Sequence, residues 1–160
     1  LLVESDKDDI GPFVLGTDGS GYDKLIVKDG GAREPIKNTN PYGTLEMSGA
    51  DVFLFTLNTV PTCINELLVK SKLCIEDIDL FVFHQASKLV IDNIIRASSL
   101  DKEKVFVNLG EVGNTVSASI PIALKDADDQ GKLKDGDTVA LVGFGVGLSW
   151  GATLITWRKM

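Results

Sequence analysis

Leu80-Phe81-Val82-Phe83 is an unbroken apolar run of strand length, and a helical pattern starts almost immediately after it. Between Ser87 and Ala97, Leu89, Val90, Ile94 and Ile95 fall at helical spacing, so the pair reads as a buried strand leading into a helix. The same alternation continues downstream. Val105-Phe106-Val107 predicts another strand and Ser117 to Asp129 a helix despite Pro121, while Thr138–Val142 and Leu148–Trp157 predict two closing strands. Upstream, Pro12–Thr17 and Lys24–Val27 read as extended pieces around a Gly19-Ser20-Gly21 turn, and Ala32 to Leu45 reads as a loop. Ser48 with Asp51 resembles a capping box, and Val52, Phe55, Leu57 and Val60 set out an apolar helical face. Pro61 should bend or restart that helix before Cys63, Ile64, Leu67 and Leu68 carry the face to about Lys72. Ile75–Asp79 and Gly110–Thr115 read as connections. Strand and helix signals that alternate in this way predict an α/β layered sheet.

The chain has 160 residues, the size of one domain, and needs no metal or disulfide to hold its core. A formal charge of −7 excludes a nucleic-acid binder that works through phosphate contacts. Apolar runs fall short of the ~20 residues a membrane span requires, and Leu1-Leu2-Val3 is too short for a signal peptide. Cys63 and Cys74 form no CxxC pair, which predicts reduced thiols in a cytoplasmic protein. The opening triplet, followed by the turn-like Glu4 to Asp9, reads as the end of a strand that begins upstream, so a fragment is expected.

His84, the single histidine, ends an apolar strand and precedes a helix, where open α/β sheets place ligands. Position alone leaves a structural and a catalytic histidine both open. One histidine without nearby Cys or carboxylate partners does not build a metal site. Asn114, between Gly113 and Thr115, is a turn residue by type; the alternative is a side-chain amide donating to a developing oxyanion, with Gly113 permitting close approach. Gly143-Phe144-Gly145-Val146-Gly147 lies between two strand patterns and lacks the helix a dinucleotide loop needs. It reads as a tight strand-to-strand turn. Cys63 sits on an apolar helical face, where inert thiols are the rule, and no Gly-x-Ser-x-Gly elbow exists. Donors are present without a nucleophile.

Taken in order, His84-Gln85-Ala86, Gly113-Asn114-Thr115 with Ser117 to Leu124, Gly131-Lys132-Leu133-Lys134-Asp135-Gly136-Asp137, and Gly143 to Gly151 closely resemble the carboxyl-terminal half of β-ketoacyl-acyl-carrier-protein synthase III, of the thiolase superfamily. The resemblance implies a thiolase-like half over residues 1–160, a five-stranded mixed sheet with helices on its faces. It implies that the nucleophilic Cys belongs to an amino-terminal half that this chain lacks, so the chain alone is expected to be inactive. His84 and Asn114 match the positions that donate to the malonyl thioester oxygen as CO2 leaves, a task suited to a neutral imidazole N–H and an amide. Phe144 matches a pocket residue, and the Val146 backbone N–H matches a donor to the acyl-thioester oxyanion. Family members often carry Asn at the position of Ser87, holding the pantetheine arm, and Arg at the position of Leu89, docking the carrier protein. Both depart here, with Lys88 adjacent as a substitute, and Val116 stands where Ser is usual.

The implied reaction is decarboxylative Claisen condensation of acyl-CoA with malonyl-carrier protein in fatty acid biosynthesis. Its implied partners are the amino-terminal half, acyl carrier protein, acyl-CoA and a second copy in a homodimer. CoA and phosphopantetheine thioesters enter as substrates, with no separate cofactor and no metal. The alternatives are a specialised synthase-III-like acyl transferase of secondary metabolism and a non-catalytic acyl-binding domain.

Overall fold

The computed structural model describes residues 8–32, 34–35 and 43–159. The opening triplet and much of the loop expected over Ala32–Leu45 lie outside the described residues. Among the described residues there are seven strands: β1 (Ile10–Thr17), β2 (Leu25–Val27), β3 (Leu45–Met47), β4 (Leu80–Phe83), β5 (Val105–Phe106), β6 (Thr138–Gly145) and β7 (Ser149–Thr156). The helices are α1 (Gly49–Ser71), α2 (Lys88–Ala97), α3 (Leu109–Val112) and α4 (Ser119–Asp129). Five strands form one sheet in the order β1-β7-β6-β4-β5, and β2 pairs with β3 in a separate ribbon. β4 runs parallel to β5 and β6, whereas β7 is antiparallel to both β6 and β1. The α/β sheet agrees with the alternating pattern, and its five mixed strands with what the resemblance implied.

β4 explains why its sequence is apolar throughout. Phe81 and Phe83 point into a core with Val60, Cys63, Ile64 and Leu67 of α1 and Val90 and Ile94 of α2. Leu80 and Val82 point the other way, against Ala123 and Ala127 of α4. A strand covered on both faces has no polar side to display.

Two local expectations are corrected, the restart at Pro61 and the capping box. α1 continues through Pro61 without restarting. Proline within a helix costs about 3 kcal/mol, but Val60, Cys63, Ile64 and Leu67 are all buried on one face, each contributing roughly 1.5–3 kcal/mol. The tertiary face outweighs the local break. The capping box does not form: the Ser48 hydroxyl donates to the Asp51 carboxylate at 2.6 Å, which Lys24 also approaches at 3.7 Å, and makes no cap to the helix backbone. α1 is also long and apolar enough to meet a membrane-span criterion, with a mean hydropathy of 1.5. In the structure its apolar stripe lies on the sheet, with Thr56, Val60, Cys63, Ile64 and Leu67 buried.

Smaller differences bear on the site. β6 runs past Val142 to Gly145 because β7 pairs with it as far as Gly145 opposite Ser149. Within the expected connection after β5, Leu109–Val112 close a single helical turn. α4 starts at Ser119, with Val116–Ala118 forming a 3-10 turn before it.

Candidate active site

Three parallel strands end on one side of the sheet, and the candidate residues gather there. Phe83, the last residue of β4, pairs with Val142, and the His84 N–H donates to the Val142 carbonyl at 2.8 Å. That bond extends the ladder by one residue and pins the His84 backbone. Gln85, with no exposed surface, takes over where the ladder stops. Its Nε2 donates to the Phe83 carbonyl at 2.9 Å and its Oε1 accepts from the Asn108 N–H at 3.3 Å, joining the end of β4 to the chain leaving β5. Buried polar groups are costly unless paired, so this amide is a structural tie.

The His84 ring is half-buried. The Phe144 ring meets it edge-on at 5.5 Å and 80°. Nδ1 lies 2.7 Å from the Ser119 Oγ at the start of α4. Ser119 is 2% exposed, and its hydroxyl donates to the Val116 carbonyl at 2.7 Å. Burial holds the imidazole below its usual 6.5, with the Val116 carbonyl pulling weakly the other way, so the ring is neutral at neutral pH.

Asn114 comes to the same place from the loop after α3. Gly113 precedes it at φ 73° and ψ −165°, a conformation that suits glycine. A Cβ there would meet no other atom of this chain within 4 Å, so within the chain it is the dihedral that calls for glycine. The Asn114 Oδ1 accepts from the Val116 N–H at 2.9 Å, which orients the amide; its Nδ2 donates to the Ala86 carbonyl over a long 3.4 Å. A bond that long is readily exchanged for a ligand oxygen. Val116 itself sits at φ 55°, where a β-branched residue is strained. Its N–H holds Asn114 and its carbonyl holds Ser119.

The structure thus sets Phe144 against His84 and ties Asn114 to the same stretch through the Ala86 carbonyl and, by way of Val116, to Ser119. Ser87 serves as the N-cap of α2, its Oγ accepting from the Val90 N–H at 3.2 Å. Lys88 is exposed and pairs with Asp92 at 2.5 Å. Val146 is exposed in the β6–β7 turn, its carbonyl accepting from the Ser149 hydroxyl. Sequence reasoning passed over Ser119, Gln85 and the conformation of Val116. Gln85 did carry a signal, a polar side chain directly after a buried strand and its histidine. Cys63 is buried, and desolvation, with Glu66 adding to it, pushes its thiol up to about 11. Cys74 is exposed. Among the described residues, no group of three or more His, Cys, Asp or Glu side chains is placed to hold a metal ion.

Residues 68–157 match the family model described as 3-oxoacyl-(acyl-carrier-protein) synthase III C terminal. The chain belongs to this synthase III family. It is 35% identical to β-ketoacyl-(acyl-carrier-protein) synthase III of Acaryochloris marina, aligning over 99% of its own length and 49% of that protein. The enzyme of the same name from Clostridioides difficile is 43% identical over 89% of this chain and 44% of its own. The chain spans about half the length of the curated synthase III relatives it matches. A crystal structure of a 3-oxoacyl-(acyl-carrier-protein) synthase III superposes with a TM-score of 0.89 at 36% identity, covering 98% of this chain and 50% of that one. The priming β-ketosynthase of the R1128 polyketide pathway superposes at 0.83 with 28% identity, covering 97% of this chain and 47% of its own. The family and the thiolase-like half inferred from the ordered synthase III motifs are therefore correct.

Proposed function

We propose that this chain supplies the condensing residues of a β-ketoacyl-acyl-carrier-protein synthase III, with His84 and Asn114 as donors to the thioester oxygen of a malonyl group. The observation that carries the reading is their convergence. One donor stands at the end of β4 and the other, from the loop after α3, reaches the Ala86 carbonyl two residues on from it; each is held by an oriented partner, Ser119 for His84 and the Val116 N–H for Asn114. Decarboxylation turns a thioester carbonyl into an enolate, and preorganised donors lower that barrier because they need not reorient as charge develops. Phe144 packs edge-on beside His84. The Val146 N–H faces the acyl thioester in this reading, and the nucleophilic Cys comes from the amino-terminal half. The high Cys63 pKa supports that assignment, since only a thiolate attacks.

Acyl-CoA and malonyl-carrier protein are the substrates, and the working enzyme is a homodimer in the cytoplasm. Ser87 and Leu89, at positions that usually serve the pantetheine arm and carrier docking, favour a second reading: a specialised acyl transferase with an altered carrier approach. The likeness to a polyketide priming ketosynthase fits that reading too. In the full-length enzyme, His84→Ala and Asn114→Ala should each leave Cys acylation by acyl-CoA intact while slowing condensation about 10²–10³-fold. Equal losses in both half-reactions would overturn the assignment.

A further inference from the structure

We infer that Ser119 is a positioning residue that fixes His84 in the Nδ1–H tautomer, leaving Nε2 as an open acceptor. A serine hydroxyl has one proton, and here it goes to the Val116 carbonyl at 2.7 Å. The same oxygen sits 2.7 Å from Nδ1. Two acceptors with no proton between them would not rest at that distance, so Nδ1 carries the proton and Ser119 receives it. The reverse arrangement, with the hydroxyl turned to Nδ1, breaks the bond to Val116 inside a site where Ser119 is 2% exposed and water offers little replacement. The neutral ring therefore presents a lone pair at Nε2, so the donor to the thioester oxygen in the proposed function is the ring after Nε2 has taken up a second proton, and not the neutral N–H that the resemblance implied.

The consequence rests on the function proposed above. Condensation converts an acyl-enzyme thioester and a malonyl thioester into a β-ketoacyl thioester, CO2 and an enzyme thiolate. One proton must arrive to return the thiolate to a thiol. Nε2 takes that proton from solvent and holds it against the thioester oxygen while the carbon–carboxylate bond breaks. It then releases the proton to the sulfur when the acyl C–S bond breaks. Nδ1 keeps its own proton on Ser119 throughout. The charged side chains on the surrounding elements are mostly engaged elsewhere: Lys88 with Asp92, Lys125 with Asp129, Arg96 with Asn93, and Asp126 with the Asn108 amide. Glu111 on α3 and Asp128 on α4 complete the set, and β4 to β7 carry none.

Nitrogen-15 imidazole spectra of the full-length protein test the assignment, with the His84 signals identified by their loss in His84→Asn. Above the ring pKa, Nδ1 should be the protonated nitrogen. An Nε2–H ring in the wild type overturns the inference, whether or not any variant folds. Ser119→Ala should move the tautomer ratio about fivefold toward Nε2–H, the effect of one lost hydrogen bond, and Ser119→Thr should restore it. An unchanged ratio in Ser119→Ala also overturns it. In single-turnover assays, wild-type condensation should accelerate as pH falls toward the His84 pKa, with KM for acyl-CoA unmoved. Slowing over that range rejects the proton-carrying role. If His84→Ala condenses normally, the proposed function fails, and the tautomer stands or falls on the spectra alone.

Discussion

Replacing Val116 by glycine should make the protein more stable and its condensation slower. Val116 is β-branched, lies at φ 55°, and leaves 71% of its surface in solvent. Holding such a residue in the left-handed region costs about 2 kcal/mol. Glycine removes that strain but loses about 0.7 kcal/mol of backbone entropy on folding. The little side-chain burial given up subtracts about 0.5 kcal/mol more. The net gain is about 0.8 kcal/mol, worth about 2–3 °C in Tm for a chain of this size or about 0.3 M in the urea midpoint at unchanged slope. Ala118→Gly is the matched control, because Ala118 sits two residues away at an unstrained φ of −80°; it should lose about 0.5–1 kcal/mol. Opposite signs at the two positions are the expected result of paired urea titrations. A Val116→Gly protein destabilised as much as Ala118→Gly would refute the strain argument. The freed backbone would also loosen the N–H that orients Asn114 and the carbonyl that holds Ser119, so the added stability should come with a slower condensing step.

Iodoacetamide at pH 8 should label Cys74 and spare Cys63 in peptide mass maps, because a buried thiol with a pKa of about 11 is on the order of a thousandth ionised there. Stability should fall as pH drops through 6.5 toward the lowered His84 pKa, since over that window the unfolded chain binds a proton that the folded chain refuses. His84→Asn should flatten that segment of a urea-midpoint profile. Gln85→Leu leaves the Asn108 N–H and the Phe83 carbonyl without their side-chain partner in a fully buried place, and should cost about 2–4 kcal/mol. A loss below about 1 kcal/mol in urea unfolding would show that those groups find other partners.

What the sequence disclosed follows from how each residue is used. β4 and α2 were legible because burial on two faces, or on one helical stripe, writes itself into apolar spacing. β3 was not, since Leu45, Glu46 and Met47 are all exposed and carry no such pattern. Pro61 suggested a break because the local rule is visible in sequence, while the sheet that keeps α1 continuous across it is not. His84, Asn114 and Phe144 stood out as single residues beside strand ends or glycine, and the fold sets Phe144 against His84 and Asn114 at the Ala86 carbonyl. Val116 was unreadable in principle, because valine is among the residues least suited to the left-handed region it occupies. Ser119 was unreadable for a plainer reason. A serine at a helix start looks like a cap, and only the folded chain sets it 2.7 Å from an imidazole 35 positions away.

The pairing of β1 with β7 has a consequence for synthesis. Ile10 lies opposite Ile155 and Thr17 opposite Ser149, so β1 leaves the ribosome long before its partner exists. At roughly 5–20 residues per second the wait lasts on the order of ten seconds. Throughout it, β1 exposes Val14, later buried in the core, together with Ile10, Phe13 and Leu15, which no part of this chain covers. An unpaired strand of that character is a target for chaperones and for neighbouring nascent chains alike. Closure of the sheet is therefore a late event of translation, and slowing elongation between β1 and β7 lengthens the period in which the newborn chain is open to misassembly.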